Sequence, residues 1–346
     1  SPSSLPLMIS LVSTILNDKA GAQALFKDLR LQTRFPDEMV VIDGGSRDGT
    51  WEFLQASVSQ LPFLLRPIQI PGANVSHGRN QAIEHSQGEW IVSTDFGCRL
   101  DSRWVEKLVE PYEKDPTVQI VTGSWRIEKS EIHTPAGWAE WALALGKIGM
   151  IATPTCLAST RSIAFHKSVW IEIGKYPEDL SLAGDDAIFS LWMVSSGKKI
   201  AAAPEAMCTW HRFEKLQSYL KEAKRNFLGC GEALFFLNFG IKTGIMTIIE
   251  ILTLILVALF PHPLFLLFFG LVWSKRFFRW SHAVRFLVDE EKWSFSRTIR
   301  LLPWIVAFEL GTRWIGIRGY WQGVLQGTWK CRQCRQLITR LQIPRW

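Results

Sequence analysis

A second cysteine pair is missing from this chain. Cys331-x-x-Cys334 stands alone, and the six cysteines, at positions 98, 156, 208, 230, 331 and 334, follow no regular framework. Half of a tetrahedral ligand set does not make a zinc module, so the pair reads as structural or incidental. Free thiols fit a reducing, cytoplasmic setting for the soluble part. The start, Ser1-Pro2-Ser3-Ser4-Leu5-Pro6, has no basic n-region, and the apolar run after it is only a strand long, so it does not read as a signal peptide. Long unbroken apolar runs are scarce as well. Residues 244–260 are interrupted only by Glu250, Pro261-His262-Pro263 then breaks the pattern, and residues 264–273 resume it. Each run alone falls short of the ~20 residues that a spanning helix needs.

What is present is unevenly spread. The 346 residues suffice for one large α/β domain with an appendage. Hydrophobic residues make up 47% of the chain and concentrate after about residue 240, where many of the 17 tryptophans also lie. Indoles favour a bilayer interface, so this end reads as membrane-associated. The net charge is +7, with basic clusters at Lys275, Arg276 and Arg279 and again over residues 330–345. Because these clusters flank apolar segments, anionic phospholipid fits them better than nucleic acid. If the second run continues through Arg279 and Trp280 with its basic side chains snorkelling, residues 244–280 form a two-helix hairpin. Residues 301–316 are a third candidate, with Glu309 and Arg313 one helical turn apart and expected to pair. The amphipathic stretch 293–300 is expected to lie flat on a surface. The division read from the sequence is therefore a domain over residues 1–235 and membrane-embedded or interfacial helices with a basic tail over residues 236–346.

Before residue 205, short apolar runs alternate with amphipathic stretches. Strands are expected at 7–16, 39–43, 89–94 and 118–123, and helices at 20–33, 102–112, 186–195 and 216–229. Strand–helix alternation argues for an α/β fold, a mostly parallel sheet with helices on both faces.

Four sites fall in order along this region. Met39-Val40-Val41-Ile42 ends in Asp43, followed by Gly44-Gly45-Ser46-Arg47-Asp48-Gly49-Thr50. Ligands of open α/β sheets sit beyond the strands' carboxyl ends, so Asp43 points where a small polar molecule is held. A plain strand-to-helix turn capped by Asp48 or Thr50 explains the same stretch. Gly78-Arg79-Asn80 leads into a helix, where a cation beside a helix N-terminus suits a diphosphate, or where Asn80 simply caps a turn. Thr94-Asp95-Phe96-Gly97-Cys98 sets a carboxylate at a strand end beside a glycine loop, a place for a divalent ion bridging phosphates. Gly184-Asp185-Asp186 opens a helix with two acids where the helix dipole needs one, so a general base for an acceptor hydroxyl is available. His211, after an apparent edge strand, is either a satisfied surface residue or an imidazole beside Asp95.

Together these residues resemble the family 2 glycosyltransferases, which have the GT-A fold, over roughly residues 7–232. The resemblance rests on Val41-Ile42-Asp43-Gly44-Gly45-Ser46-Arg47-Asp48-Gly49-Thr50, His77-Gly78-Arg79-Asn80-Gln81-Ala82, Thr94-Asp95-Phe96-Gly97-Cys98 and Gly184-Asp185-Asp186, taken in order. It implies a nucleotide-sugar donor bound by Asp43, Arg79, Asn80 and Asp95. It also implies a divalent cation, Mg or Mn, at Asp95 with His211, and an acid pair Asp185-Asp186 whose second member deprotonates the acceptor. Leu157-Ala158-Ser159-Thr160-Arg161-Ser162 matches the family's glycine-rich acceptor loop, here without glycine, and residues 210–232 resemble the segment preceding membrane helices in membrane-bound members.

Two departures stand out. Asp95-Phe96-Gly97 lacks the second acid of the family's Asp-x-Asp, so either Asp95, His211 and the diphosphate suffice, or cations such as Arg79 and Arg99 stabilise the leaving group. The acid pair is Asp-Asp where Glu-Asp is usual. The expected activity is inverting transfer of a sugar to an acceptor hydroxyl, lipid or lipid-linked, at the cytoplasmic membrane face. The eroded metal motif motivates an alternative, a membrane-anchored nucleotide-sugar binding or scaffold protein without catalysis. A nucleotidyltransferase needs a basic glycine-rich first turn, and Ile15-Leu16-Asn17-Asp18-Lys19-Ala20-Gly21 has one lysine and one glycine.

Overall fold

The computed structural model describes residues 7–327, except 157 and 182. They form two compact units. One contains the chain up to Glu128 together with Gly149–His211, and the other contains Lys129–Ile148 and the chain from Arg212 onward.

The first unit is built on one mixed sheet. Its strands are β1 (Ile9–Ile15), β2 (Glu38–Asp43), β3 (Leu64–Gln69), β4 (Trp90–Ser93), β5 (Cys98–Leu100), β6 (Ile120–Arg126), β7 (Gly149–Met150), β8 (Ile163–His166) and β9 (Ile200–Trp210). Their order is β3-β2-β1-β4-β8-β6-β9-β5, with β7 beside β6. Neighbours within β3-β2-β1-β4 run parallel. Beyond β4 the sheet is mixed: β4/β8, β8/β6, β6/β7 and β9/β5 are antiparallel, whereas β6/β9 is parallel. The strand before His211 is therefore not an edge strand, since β9 lies between β6 and β5. β1 and β2 are buried on both faces, which is why they read as continuous apolar runs without alternation.

The helices of this unit are α1 (Lys19–Arg30), α2 (Thr50–Ala56), α3 (Val75–His85), α4 (Trp104–Lys114), α6 (Lys167–Glu172) and α7 (Asp185–Ser195). Leu25, Phe26 and Leu29 of α1 and Leu108 of α4 are fully buried in a core shared with β1, β2 and β4. Each fully buried side chain of that size contributes about 1.5–3 kcal/mol.

Glu38, at the start of β2, is a charged residue with no exposed surface. Ser10 Oγ donates to its Oε1 at 2.7 Å, Arg66 Nη1 donates to Oε2 at 2.9 Å, and the Gln87 N–H donates to Oε1. Burial alone raises its pKa, but these donors more than offset burial and hold the carboxyl below its ordinary 4.5. A depressed carboxylate stabilises the fold fully above its unfolded value and loses that contribution as pH falls through the folded value. Glu38→Gln is expected to cost about 1–3 kcal/mol at neutral pH. Urea denaturation of both proteins from pH 7 to pH 3 checks this: the difference must shrink below about pH 4.5, and a constant gap rules the account out.

The second unit is helical: α5 (Pro135–Leu143), α8 (Leu216–Glu232), α9 (Leu237–Leu259), α10 (Pro263–Asp289) and α11 (Phe295–Gly327). The break expected at Pro261-His262-Pro263 separates α9 from α10. Among the described residues α9 alone is long and apolar enough to cross a membrane. Ile245, Ile248 and Leu252 of α9 and Leu264, Leu267 and Leu271 of α10 are exposed. Trp138 packs on Trp293, and Arg297 stacks on the same indole at 3.6 Å.

The charges inside this unit pair across helices and not along one. Arg313 Nη1 donates to Glu250 Oε1 of α9 at 3.0 Å, and Arg276 of α10 reaches the same oxygen at 3.3 Å. Glu309 accepts from Arg276 and from the indole N–H of Trp280. The expected Glu309–Arg313 pair along α11 is thus replaced by an interhelical cluster, because burying Glu250 demands donors from its neighbours. The basic tail at 330–345 and Cys331/Cys334 lie outside the described residues.

Candidate functional site

The parallel half of the sheet places β2 and β4 on either side of β1, with their carboxyl ends at the same edge. Asp43 closes β2, and Asp95 lies two residues past β4. Two strand spacings put them roughly 10 Å apart across the edge.

Gly78 has no room for a side chain: a Cβ there would lie 2.7 Å from Thr14 Cγ2 and 3.6 Å from Ile42 Cγ2. Glycine thus lets α3 settle directly onto β1 and β2. The next residue, Arg79, is carried to the strand ends with only 7% of its surface exposed. Arg79 Nη2 donates to Asp95 Oδ1 at 2.9 Å, and Nη1 donates to Asp185 Oδ2. One guanidinium therefore ties together the glycine-loop acid and the helix-start acid. Burial works against its charge, but the carboxylates of Asp185 and Asp95 outweigh it and hold the guanidinium firmly protonated. For Asp185, burial pushes the carboxyl up, Arg79 pulls against it, and the neighbouring Asp186 adds to the push.

Gly184 caps α7 in the left-handed region at φ 96°, which turns the chain so that both acids enter the first helical turn. They then diverge. Asp185 is 6% exposed and committed to Arg79. Asp186 is half-buried and, among the described residues, accepts only the Ala187 N–H at 2.8 Å and forms no ion pair. A carboxylate so placed has lone pairs to spare for a proton.

Asp43 is fully buried and accepts from Ser46 N (3.1 Å), Ser46 Oγ (2.5 Å) and Gln69 Nε2 (2.8 Å). The cap of α2 is Gly49, in the left-handed region, and neither Asp48 nor Thr50; Asp48 instead closes a local turn, accepting from the hydroxyl and N–H of Thr50, which lower its pKa. Gly78-Arg79-Asn80 does not lead into a helix but lies inside α3, which Asn74 caps, so Asn80 caps no turn; its amide is saturated within the protein. It donates to Tyr176 O (2.9 Å) and Glu178 Oε1 (2.7 Å), and it accepts from Trp170 Nε1 and the Tyr176 N–H at 2.9 Å each. Glu178 in turn meets His77 Nδ1 at 2.9 Å. Asn80 pins the 176–178 segment beneath Arg79, whose guanidinium lies 5.6 Å from the Tyr176 ring.

Arg99, read from the sequence as a second leaving-group cation, instead forms a bidentate pair with Asp28 of α1 at 2.6 and 2.7 Å. Sequence reasoning missed Arg161 as a distinct feature. Its guanidinium stacks on Trp210 at 3.8 Å and lies 5.2 Å from Trp125, held also by Ser159 Oγ at 3.0 Å. The missing signal is tertiary, since β6 and β9 must pair before the two indoles can flank it. Leu157, in the segment matching the acceptor loop, lies outside the described residues.

His211 is exposed, and its N–H donates to the carbonyl of Gly97 at 3.1 Å, so it adjoins the Asp95-Phe96-Gly97 loop. Among the described residues no three His, Cys, Asp or Glu converge as a ready metal cage. Arg79 takes Oδ1 of Asp95, and among the described residues Oδ2 accepts no hydrogen bond. Magnesium commonly takes one or two carboxylates plus substrate phosphates, a donor set that this loop can begin but not complete alone.

Residues 10–165 match the family model described as glycosyl transferase family 2. Poly-beta-1,6-N-acetyl-D-glucosamine synthase of Staphylococcus aureus is 26% identical over 201 residues, covering 57% of this chain and 48% of that protein. The O-antigen chain rhamnosyltransferase RfbN of Salmonella typhimurium is 26% identical over 190 residues, covering 52% of this chain and 58% of the relative. The chain thus spans about half the length of the curated relatives it matches. Among solved structures, the mannosyltransferase PcManGT of Pyrobaculum calidifontis, in complex with GDP-Man and Mn²⁺, superposes with a TM-score of 0.53 at 16% identity. It covers 94% of this chain and 88% of its own, a likeness of fold.

Proposed function

We propose that this chain, whose residues 10–165 match the glycosyl transferase family 2 model, is an inverting enzyme moving a sugar from a nucleotide-sugar donor to an acceptor hydroxyl. The observation that carries this reading is the Asp95–Arg79–Asp185 chain of ion pairs, with Asp186, which forms no ion pair among the described residues, beside it. Asp186 takes the proton as the acceptor oxygen attacks the anomeric carbon in line, and the transition state has oxocarbenium character. Arg79 supplies positive charge where the nucleoside diphosphate leaves. Asp43 meets the base or ribose once Ser46 and Gln69 yield part of its carboxylate. Asn80, with its amide fully engaged, serves the donor site by positioning Arg79. Asp95 Oδ2 and His211 are the residues that would hold Mg or Mn together with diphosphate oxygens. Such an ion, when bound, neutralises the leaving group's charge.

The acceptor in this reading is a lipid or lipid-linked glycan at the cytoplasmic face. The exposed apolar faces of α9 and α10 support membrane placement and an acceptor presented at headgroup level. The division into a catalytic domain over residues 1–235 and membrane helices over 236–346 belongs to the same proposal. Purified full-length protein, incubated with a panel of labelled nucleotide sugars and membrane lipid extract, is expected to move label into the organic phase. Donor binding without any lipid-soluble label across the panel overturns catalysis in favour of a binding or scaffold role.

A further inference from the structure

The second unit holds a cavity of about 640 Å³, within the range typical of small-ligand sites. Its walls include the apolar side chains of Leu143, Phe227, Phe239 and Met246, yet it is also lined by five cations and three carboxylates. One carboxylate, Glu140, is already committed to Arg212 through two hydrogen bonds. Glu250 and Glu309 remain against Lys242, Lys275, Arg276, Arg279 and Arg313, a surplus of positive charge. Lys242 and Lys275 are exposed and form no ion pair among the described residues.

The second observation concerns Glu250 itself. Its side chain is only 3% exposed, and its Oε1 takes N–H donors from both Arg276 and Arg313. Its Oε2 is buried with no partner among the described residues, and the same holds for Nε of Arg313, whose Nη1 bonds to Oε1. One atom lacks an acceptor and the other lacks a donor, and a hydroxyl carries both functions.

We propose that this cavity binds the head of a membrane amphiphile carrying a phosphate and a hydroxyl, the phosphate paired with Lys242 and Lys275 and the hydroxyl lodged between Glu250 and Arg313. Phosphate matches a surplus of converging cations better than a neutral head does, and the exposed apolar faces of α9 and α10 suit a lipid tail. The inference rests on the membrane placement proposed above but not on the transfer chemistry.

Phosphatidylglycerol carries both groups, whereas phosphatidylcholine has a phosphate but no hydroxyl. Full-length protein, delipidated in detergent and titrated with each, is expected to retain phosphatidylglycerol about tenfold more tightly by native mass spectrometry. Lys242→Gln/Lys275→Gln is expected to weaken that binding about tenfold or more, each lysine near an anionic headgroup being worth a several-fold change. Arg285→Gln, an exposed residue of the same helix α10 outside the cavity lining, leaves it unchanged. Equal binding of the two lipids, equal loss in the Arg285 variant or no bound lipid overturns the site. Full competition by soluble glycerol 3-phosphate overturns the membrane source. Vesicle flotation separates the failures: protein that floats without preferring phosphatidylglycerol loses only this cavity, and protein that does not float loses the membrane placement. Lipid binding without sugar transfer upholds the inference while refuting the enzyme.

Discussion

Asp186→Asn is expected to lower turnover at least about a thousandfold, within the range a general base contributes, with donor affinity changed less than about threefold. The substitution is close to isosteric, and the side-chain oxygen of Asn still accepts the Ala187 N–H that Asp186 holds at 2.8 Å. The start of α7 loses one favourable charge–dipole contact, worth about 0.3–1 kcal/mol, far too little to unfold it. What disappears is the lone pair that accepts a proton. Single-turnover assays with a transferable donor, set beside calorimetric titration of the nucleoside diphosphate, separate chemistry from binding. A variant keeping more than about a tenth of wild-type turnover assigns the base elsewhere.

Arg79→Ala is expected to be the most damaging substitution in the first unit, costing about 3–5 kcal/mol because it strands a buried carboxylate. Arg79 and Asp185 have 7% and 6% of their surface exposed, so neither has water as a substitute partner. Asp95, one-third exposed at its side chain, tolerates the loss better. Arg79→Lys keeps a charge but cannot span two carboxylates with a planar fork, so it recovers only part of the stability. The double variant Arg79→Ala/Asp185→Asn removes the stranded charge and is expected to be more stable than Arg79→Ala alone. Chemical denaturation of the wild type, Arg79→Ala, Asp185→Asn and the double variant forms a double-mutant cycle. A coupling energy below about 0.5 kcal/mol removes the claim that this pair anchors the site.

Much of the parallel sheet was legible because β1, β2 and β4 are buried on both faces and announce themselves as unbroken apolar runs. Acids at the ends of such runs are local signals, and so are paired acids after a glycine. Partner choice is not local. Nothing near Arg79 indicates that its guanidinium bridges Asp95 and Asp185, the latter 106 positions away. The same applies to Arg99, whose partner Asp28 comes from a helix read only for its apolar side. β9 looked like an edge because short β5, three residues long, carries too little pattern to be recognised beside it. Glu309 and Arg313 have the right spacing for a pair, yet both turn to other helices because Glu250 is buried and needs donors more.

That cluster has a consequence for how the helical unit comes apart. Glu250, Arg276, Glu309 and Arg313 come from three different helices, and each is neutralised by a partner on another helix. Pulling any one helix away exposes the charges of the other two to apolar surroundings. Fraying from one end is therefore penalised, and α9, α10 and α11 are expected to melt together, as a knot of three cords slips all at once.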